Sequence, residues 1–280
     1  MALLFLINRF IFTLRTSGKQ TLFVINMDQR KLFARPIALF LFFNLLFCAS
    51  TFAQSLKVAA AANLQSVITV LQKDFKQRTN IEIEPIVGSS GKLVAQIKNG
   101  APYDIFLSAD MSFPESLYKD GFSTKAPVVY AYGSLIICST KNIGFENWER
   151  TLLTPRIKKI AIANPAVAPY GVAASETLQK KGILDNVHSK MVFGESISQV
   201  NTYIMTGVVD VGFTTQALIK DPANTTTLYW KAIDPKSYTP IKQGMVILKR
   251  AAANADAEKF YNYLLSAEAK KIFEQYGYRI

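Results

Sequence analysis

Two kinds of hydrophobic patterning alternate along the chain. Short apolar runs suit strands covered on both faces, and the stretches after them carry apolar residues at i, i+3, i+4 spacing, as helices packed on one side do. Leu56–Ala61 is the first run. The helix predicted after it, over 64–78, shows Leu64, Val67, Ile68, Leu71 and Phe75 on one face, with Asn63 placed to cap it. Residues 81–87 read as a second strand, with Glu82 and Glu84 facing water. Gly88 permits an unusual backbone turn, Ser89 and Ser90 offer hydroxyls at the next helix start, and Leu93, Val94 and Ile97 supply its apolar face. Gly100 and Pro102 end that helix, and Ile105, Phe106 and Leu107 form a third strand. The order β-α-β-α-β predicts a parallel sheet with right-handed crossovers.

The pattern continues with a helix over 111–120, a strand pair at 128–131 and 134–138, and a short amphipathic piece at 148–153. A strand at 159–163 is broken by Asn164-Pro165, and Pro169-Tyr170-Gly171 opens a helix to about Lys181. A strand at 191–193, a helix at 196–206 with Ile197, Val200 and Ile204 inward, and a buried strand at 208–214 follow. Residues 221–239 are polar and turn-rich, which predicts a linker or surface excursion. A strand at 245–249 and a long helical region at 255–276 finish the chain. The strand-helix unit thus occurs twice, at 56–110 and 159–214, without a sequence repeat. If the last strand and helix rejoin the first unit, the chain forms two lobes with a cleft between them: 54–133 with 241–280, and 134–240.

The N-terminal 53 residues change the picture of charge. Arg30, Lys31 and Arg35 precede an almost wholly apolar run at 37–47 and a small-residue end at Ser50-Thr51-Phe52-Ala53. This is the plan of a cleavable secretory leader, cut after Ala53, and its apolar run is short for a membrane span. Translation from Met27 would give a leader of ordinary length. The chain's formal charge is +12, from 32 basic and 20 acidic residues. The leader holds six of the former and one of the latter, so 26 and 19 remain, a net of +7. The remaining Lys and Arg are scattered, without the aromatic-interleaved stripe of a nucleic-acid groove. Half of the residues are apolar, enough for a substantial core. Outside the leader the one cysteine is Cys138, within an apolar run, which predicts a buried and inert thiol.

The inventory for catalysis is thin. His188 is the single histidine and lies in a polar connection; no G-x-S-x-G precedes a helix. No Cys/His cluster suits zinc and no acidic loop suits calcium. Gly88-Ser89-Ser90-Gly91-Lys92 is not a phosphate loop, since two residues rather than four separate its glycines and Leu93 stands where a hydroxyl is needed. Asp104 and Asp110 flank a strand, as turn residues do. What recurs is uncharged polar helix starts: Asn63, Ser89-Ser90, Tyr170-Gly171 and Ser196-Ile197. All four follow strands, where open α/β sheets bind ligands. A helix N-terminus favours an anion by about 0.3–2 kcal/mol, and each charge-assisted hydrogen bond adds about 1.5–3 kcal/mol before desolvation. Four such ends could hold a doubly charged oxyanion without any lysine or arginine, so that Ser90 rather than Lys92 is the residue of interest. Because every group is a donor, the fully ionised form is favoured.

These residues resemble the periplasmic molybdate-binding proteins of ABC transporters. The likeness rests on Ala59-Ala60-Ala61-Ala62-Asn63-Leu64, Gly88-Ser89-Ser90-Gly91-Lys92-Leu93, the run from Gly100 to Asp110, Asn164-Pro165 with Pro169-Tyr170-Gly171, the run from Gly207 to Phe213, and Tyr276-Gly277-Tyr278. It implies an α/β fold of the type II periplasmic-binding-protein kind, two lobes each with a central mostly parallel sheet, closing on molybdate or tungstate. It further implies a periplasmic, non-enzymatic, monomeric receptor without a cofactor, serving an inner-membrane ABC permease, in which molybdenum enters only as its oxyanion. By position, Asn63 and Ser90 stand as side-chain donors and Tyr170 and Ile197 as backbone-amide donors, with Ala62, Ser89 and Thr215 as further candidates. Some members use another tyrosine hydroxyl where this chain reads Phe213-Thr214-Thr215-Gln216; the Tyr170 hydroxyl is the candidate replacement. The rivals are a receptor for another anion, such as sulfate or phosphate, and a secreted enzyme using Asp104 or Asp110.

Overall fold

The computed structural model describes residues 10–16, 19–25 and 55–280. The expectations about the leader's basic segment, apolar run, cleavage point and Met27 lie outside them. The chain divides into two units, residues 1–54 and 55–280. In the first unit, β1 (Phe10–Thr16) pairs antiparallel with β2 (Lys19–Ile25).

The second unit holds two five-stranded sheets of matching plan. The first has the order β4-β3-β5-β12-β6: β3 (Leu56–Ala61) lies parallel between β4 (Ile83–Gly88) and β5 (Ile105–Leu107). Antiparallel β12 (Lys242–Ile247) then separates β5 from β6 (Val128–Tyr132). The second sheet has the order β11-β7-β10-β8-β9. Here β8 (Ile160–Ala163) lies parallel between β9 (Met191–Gly194) and β10 (Val211–Thr215). Antiparallel β7 (Leu135–Ser139) joins β10 to β11 (Tyr229–Ala232). In each sheet one strand runs against the other four, so both are mostly parallel, as expected.

Three expectations about elements are corrected. The strands predicted as a pair on either side of Gly133-Ser134 do not pair; β6 and β7 belong to different sheets, and Gly133-Ser134 is where the chain crosses between them. The turn-rich 221–239 excursion contains β11, whose four residues are all exposed on a sheet edge, Tyr229 and Trp230 among them, so they lack the apolar-polar alternation of a half-buried strand. The C-terminal helical region is two helices, Ala255–Leu264 and Ala267–Gln275, because Ser266 caps the second by accepting the Ala269 N–H.

The two crossings touch, since the Gly133 N–H donates to the Ile241 carbonyl (2.9 Å). A side chain at Gly133 would begin 2.3 Å from the Tyr170 hydroxyl oxygen, so this close approach requires glycine. The helix Pro169–Lys180 sits similarly tight on the end of β8: a Cβ on Gly171 would fall 2.0 Å from the Ala163 carbonyl oxygen. Apolar residues on both sheets' faces form the cores. Phe75, Phe260 and Phe273 are fully buried in the first, and Trp148 packs edge-on to Phe213 (5.6 Å between centroids) in the second. Cys138 is buried in the second core, and burial pushes its thiol up to about 12, so at neutral pH it is an unreactive thiol.

Asp210 clips the start of the second lobe's parallel trio. Its carboxylate accepts the Lys158 and Lys159 N–H groups (2.8 and 3.0 Å) and pairs with Lys141 (3.0 Å). Partial burial pushes this carboxyl up, but the Lys158 N–H, the Lys141 ammonium and the Lys159 N–H outweigh it, so it ionises below its ordinary 3.8. A carboxylate of depressed pKa stabilises the fold above its unfolded-state value, and that contribution fades as pH falls through the folded value. Asp210→Ala is therefore expected to lower stability by about 1–3 kcal/mol at pH 7. In urea denaturation the gap from the unsubstituted protein should hold constant down to about pH 5 and narrow below about pH 4. A gap that persisted undiminished in acid would deny the carboxylate this part.

Candidate functional site

Because β3, β4, β8 and β9 are parallel within their sheets, the segments after them emerge at the carboxyl ends of the strands. The two lobes bring these ends together. Ala61, Ala62, Asn63, Ser89, Ser90 and Ala109 of the first lobe face Ala168, Pro169, Tyr170 and Ile197 of the second around a small chamber with about 210 Å³ of empty volume. Asn63, Ser90, Tyr170 and Ile197, named from sequence, all line it and are all at most 3% exposed. So do Ala62 and Ser89. No charged residue lines the chamber.

The donors can be accounted for one at a time. Ser90 opens the helix Ser90–Lys98, and its Oγ accepts the Ala109 N–H (3.1 Å). That bond fixes the hydroxyl in place and leaves its own proton free to donate. Ser89 Oγ is buried without a hydrogen-bond partner. At the helix Pro169–Lys180, Pro169 has no N–H, and the Gly171 and Val172 N–H groups both donate to the Ala168 carbonyl. Tyr170 thus keeps the free N–H of that first turn. At the helix Ile197–Met205, Ser196 Oγ accepts the Gln199 N–H and the Ser196 carbonyl accepts the Val200 N–H. The Ile197 and Ser198 N–H groups remain free.

Two placements differ from the sequence reading. Asn63 does not cap a helix; it lies within a 3-10 turn, Ala62–Leu64, and its side chain makes no cap bond. Instead its Nδ2 donates to Gln243 Oε1 (2.9 Å) and Tyr278 Oη (3.3 Å), while Oδ1 is buried without a partner. Long-range partners outcompeted the local cap. The Tyr170 hydroxyl, named as a replacement donor, donates to Thr215 Oγ1 (3.3 Å) behind the chamber. Thr215 itself lines an adjoining open groove, which shares Ala62 and Asn63 with the chamber, and not the chamber itself. Burial raises the Tyr170 hydroxyl's pKa, with the Thr215 bond opposing, so it stays a neutral phenol. What sequence reasoning missed is Gln243, fully buried on β12 and bonded to Asn63 from 180 residues away; nothing local signals it.

Contacts between the lobes close the rim. The Gly91 N–H donates to the Val167 carbonyl (3.0 Å), Ser198 Oγ donates to the Ala62 carbonyl (3.2 Å), and Lys92 pairs with Glu195. The Lys92–Glu195 pair is half exposed, hence weak, and each charge neutralises the other instead of facing the chamber. The acids weighed for catalysis have structural bonds: Asp104 accepts the Lys57 N–H (2.8 Å) and pairs with Arg250 (3.3 Å), and Asp110 accepts from Ser108, Ser112 and the Phe113 N–H. Neither lines the chamber. His188 is exposed, and among the described residues no group of three His, Cys, Asp or Glu side chains converges as a metal site would require.

Residues 56–279 match the family described as bacterial extracellular solute-binding protein. The molybdate-binding protein ModA of Azotobacter vinelandii is 34% identical over 84% of this chain and 93% of its own length. That of Rhodobacter capsulatus is 34% identical over 79% and 86%. The structure of the Azotobacter vinelandii periplasmic molybdate-binding protein superposes with a TM-score of 0.77, covering 81% of this chain and 99% of that one. With its two-sheet architecture and strand-end chamber, the chain belongs to the bacterial extracellular solute-binding proteins, the family in which these molybdate-binding relatives fall.

Proposed function

We propose that this protein is an extracytoplasmic receptor that captures molybdate, and tungstate with it, and hands the oxyanion to an inner-membrane ABC permease. The observation that carries the reading is the chamber itself: hydroxyls of Ser89 and Ser90 and free N–H groups of Tyr170 and Ile197, without a charged residue among them. Each charge-assisted bond contributes about 1.5–3 kcal/mol, and the two helix N-termini, partly buried, add up to about 2 kcal/mol each. Against this stands the desolvation of a dianion, which fixed dipoles replace by standing where water did. The wall holds no carboxylate to accept a proton from the ligand, so an oxyanion that keeps a proton, as phosphate does at neutral pH, wastes a contact. Fixed walls then discriminate by size between molybdate and the smaller sulfate.

The 34% identity to molybdate-binding relatives supports the same ligand, and the leader pattern supports secretion into the periplasm through a cleavable signal. The protein then works as a monomer, binds no nucleic acid, needs no cofactor and catalyses nothing: Asp104 is engaged with the Lys57 N–H of β3 and with Arg250, and Asp110 with the turn before Phe113. A sulfate receptor of the same fold is the second reading, since sulfate is also fully ionised at neutral pH and favours the same donors.

Calorimetric titration of the protein with molybdate, tungstate, sulfate and phosphate separates these readings. Heat is expected with the first two alone; a clear signal with sulfate and none with molybdate would overturn the assignment. Ser90→Ala should weaken molybdate binding by about 1–3 kcal/mol, because a buried charge-assisted donor is lost. Equal affinity in that variant would reduce Ser90 to the partner of the Ala109 N–H.

A further inference from the structure

Behind the chamber lies a buried network of neutral groups drawn from both lobes. Gln243 Oε1 accepts from Asn63 Nδ2 (2.9 Å) and from Tyr130 Oη (2.9 Å), and Gln243 Nε2 donates to Tyr170 Oη at the long distance of 3.5 Å. Tyr130 Oη also lies 3.0 Å from the Ser108 carbonyl, and Tyr278 Oη donates to the Asn63 carbonyl (2.6 Å). In this arrangement Gln243 and Tyr278 take up the Asn63 NH2, and the buried Oδ1 of this chamber-lining residue is left without a donor. An oxyanion in the chamber would meet that acceptor and be repelled by it.

The same heavy-atom positions accept a second arrangement. If both amides turn over together, Gln243 Nε2 occupies the point 2.9 Å from Asn63 and from Tyr130 Oη. It then donates to Asn63 Oδ1 and to Tyr130 Oη, while Tyr130 donates to the Ser108 carbonyl. Gln243 Oε1 in turn accepts from Tyr170, whose partner Thr215 can reverse its own bond. The two 2.9 Å bonds survive and the Asn63 NH2 takes the unpartnered position; the cost is the 3.3 Å bond to Tyr278 Oη, whose proton stays with the Asn63 carbonyl. Turning Asn63 alone would set its Oδ1 against Gln243 Oε1, so the two amides are coupled. The tyrosines take no part in this as anions: burial holds the hydroxyls of Tyr130 and Tyr278 neutral.

We propose that Gln243 is a positioning residue for the bound oxyanion, a coupled amide that turns the Asn63 NH2 toward the chamber when a fully ionised oxyanion enters. The inference rests on the oxyanion reading of the chamber. It gives the site a discriminating element that touches no ligand: with Gln243 donating to Asn63, the wall presents donors alone.

Calorimetric titration with molybdate tests it. Gln243→Met, nearly equal in volume and unable to orient an amide, is expected to bind about tenfold more weakly. The double variant Asn63→Ala with Gln243→Met should bind no more weakly than Asn63→Ala alone, because Gln243 acts only through Asn63. Losses that add, or a folded Gln243→Met of unchanged affinity, would overturn the proposal. Should Gln243→Met fail to fold, side-chain amide 15N spectra of the unsubstituted protein decide: the Gln243 and Asn63 NH2 signals should move together on adding molybdate and hold still with chloride. An unmoved Gln243 signal overturns the coupling. An unsubstituted protein that gives no heat with molybdate, tungstate or sulfate overturns the oxyanion reading and the pair with it, whereas binding that Gln243→Met leaves intact overturns the pair alone.

Discussion

Burying polar groups without burying a charge is the constraint on which the rest of this structure depends. A chamber walled by Ser89, Ser90, Tyr170 and Ile197 can stabilise an anion only if its donors are held in place by something other than the ligand. The Ala109 N–H holds the Ser90 hydroxyl, and the hydrogen bonds among Asn63, Gln243, Tyr130, Tyr170 and Tyr278 hold Asn63 and the Tyr170 side chain. They draw residues from β12, the C-terminal tail and both lobes to a single point. An isolated unpaired amide there would cost about 1–3 kcal/mol, so the network is stable only when the lobes are registered correctly.

That registration explains the tight backbone. Gly133 lies where the chain crosses between sheets because any Cβ would strike the Tyr170 hydroxyl, and Gly171 lets the Tyr170 helix start press on the end of β8. The same helix start, with Pro169 lacking an N–H and Ala168 satisfying its neighbours, leaves one free amide at Tyr170. Strand order, glycine placement and donor supply are thus one arrangement. The rim contacts, Lys92 with Glu195 and Ser198 with Ala62, then close the lobes over the chamber from the solvent side.

Much of this was legible in the chain. Apolar runs such as Leu56–Ala61 and the Ile105–Leu107 strand announce buried parallel strands, and a residue directly after a parallel strand can lie only at the binding edge of the sheet. That marks the four helix starts at Asn63, Ser89-Ser90, Tyr170-Gly171 and Ser196-Ile197; the resemblance to molybdate-binding proteins singles out Asn63, Ser90, Tyr170 and Ile197 among them, and these four meet at the chamber. What was not legible depends on distance or exposure. Gln243 sits beside Lys242 and Gly244 with no local pattern, its partner 180 residues away. Asn63 looked like a cap because a capping bond is local, while the Gln243 and Tyr278 bonds that replaced it are not. β11 escaped notice because its four residues, Tyr229 and Trp230 among them, are all exposed and show no alternation, and the separation of β6 from β7 could not be read from two similar apolar runs either side of Gly133-Ser134.

The central claim is that the chamber holds a fully ionised oxyanion through neutral donors alone. Molybdate titrations at pH 7 in two buffers of different ionisation enthalpy test it most directly, because any proton taken up or released on binding is read as a difference in heat. The account predicts the same heat in both buffers after dilution, with no proton exchanged. Uptake or release of a proton with the ligand would contradict it, since that requires a titrating group in a wall where Ser89, Ser90, Asn63, Tyr170 and Ile197 offer none.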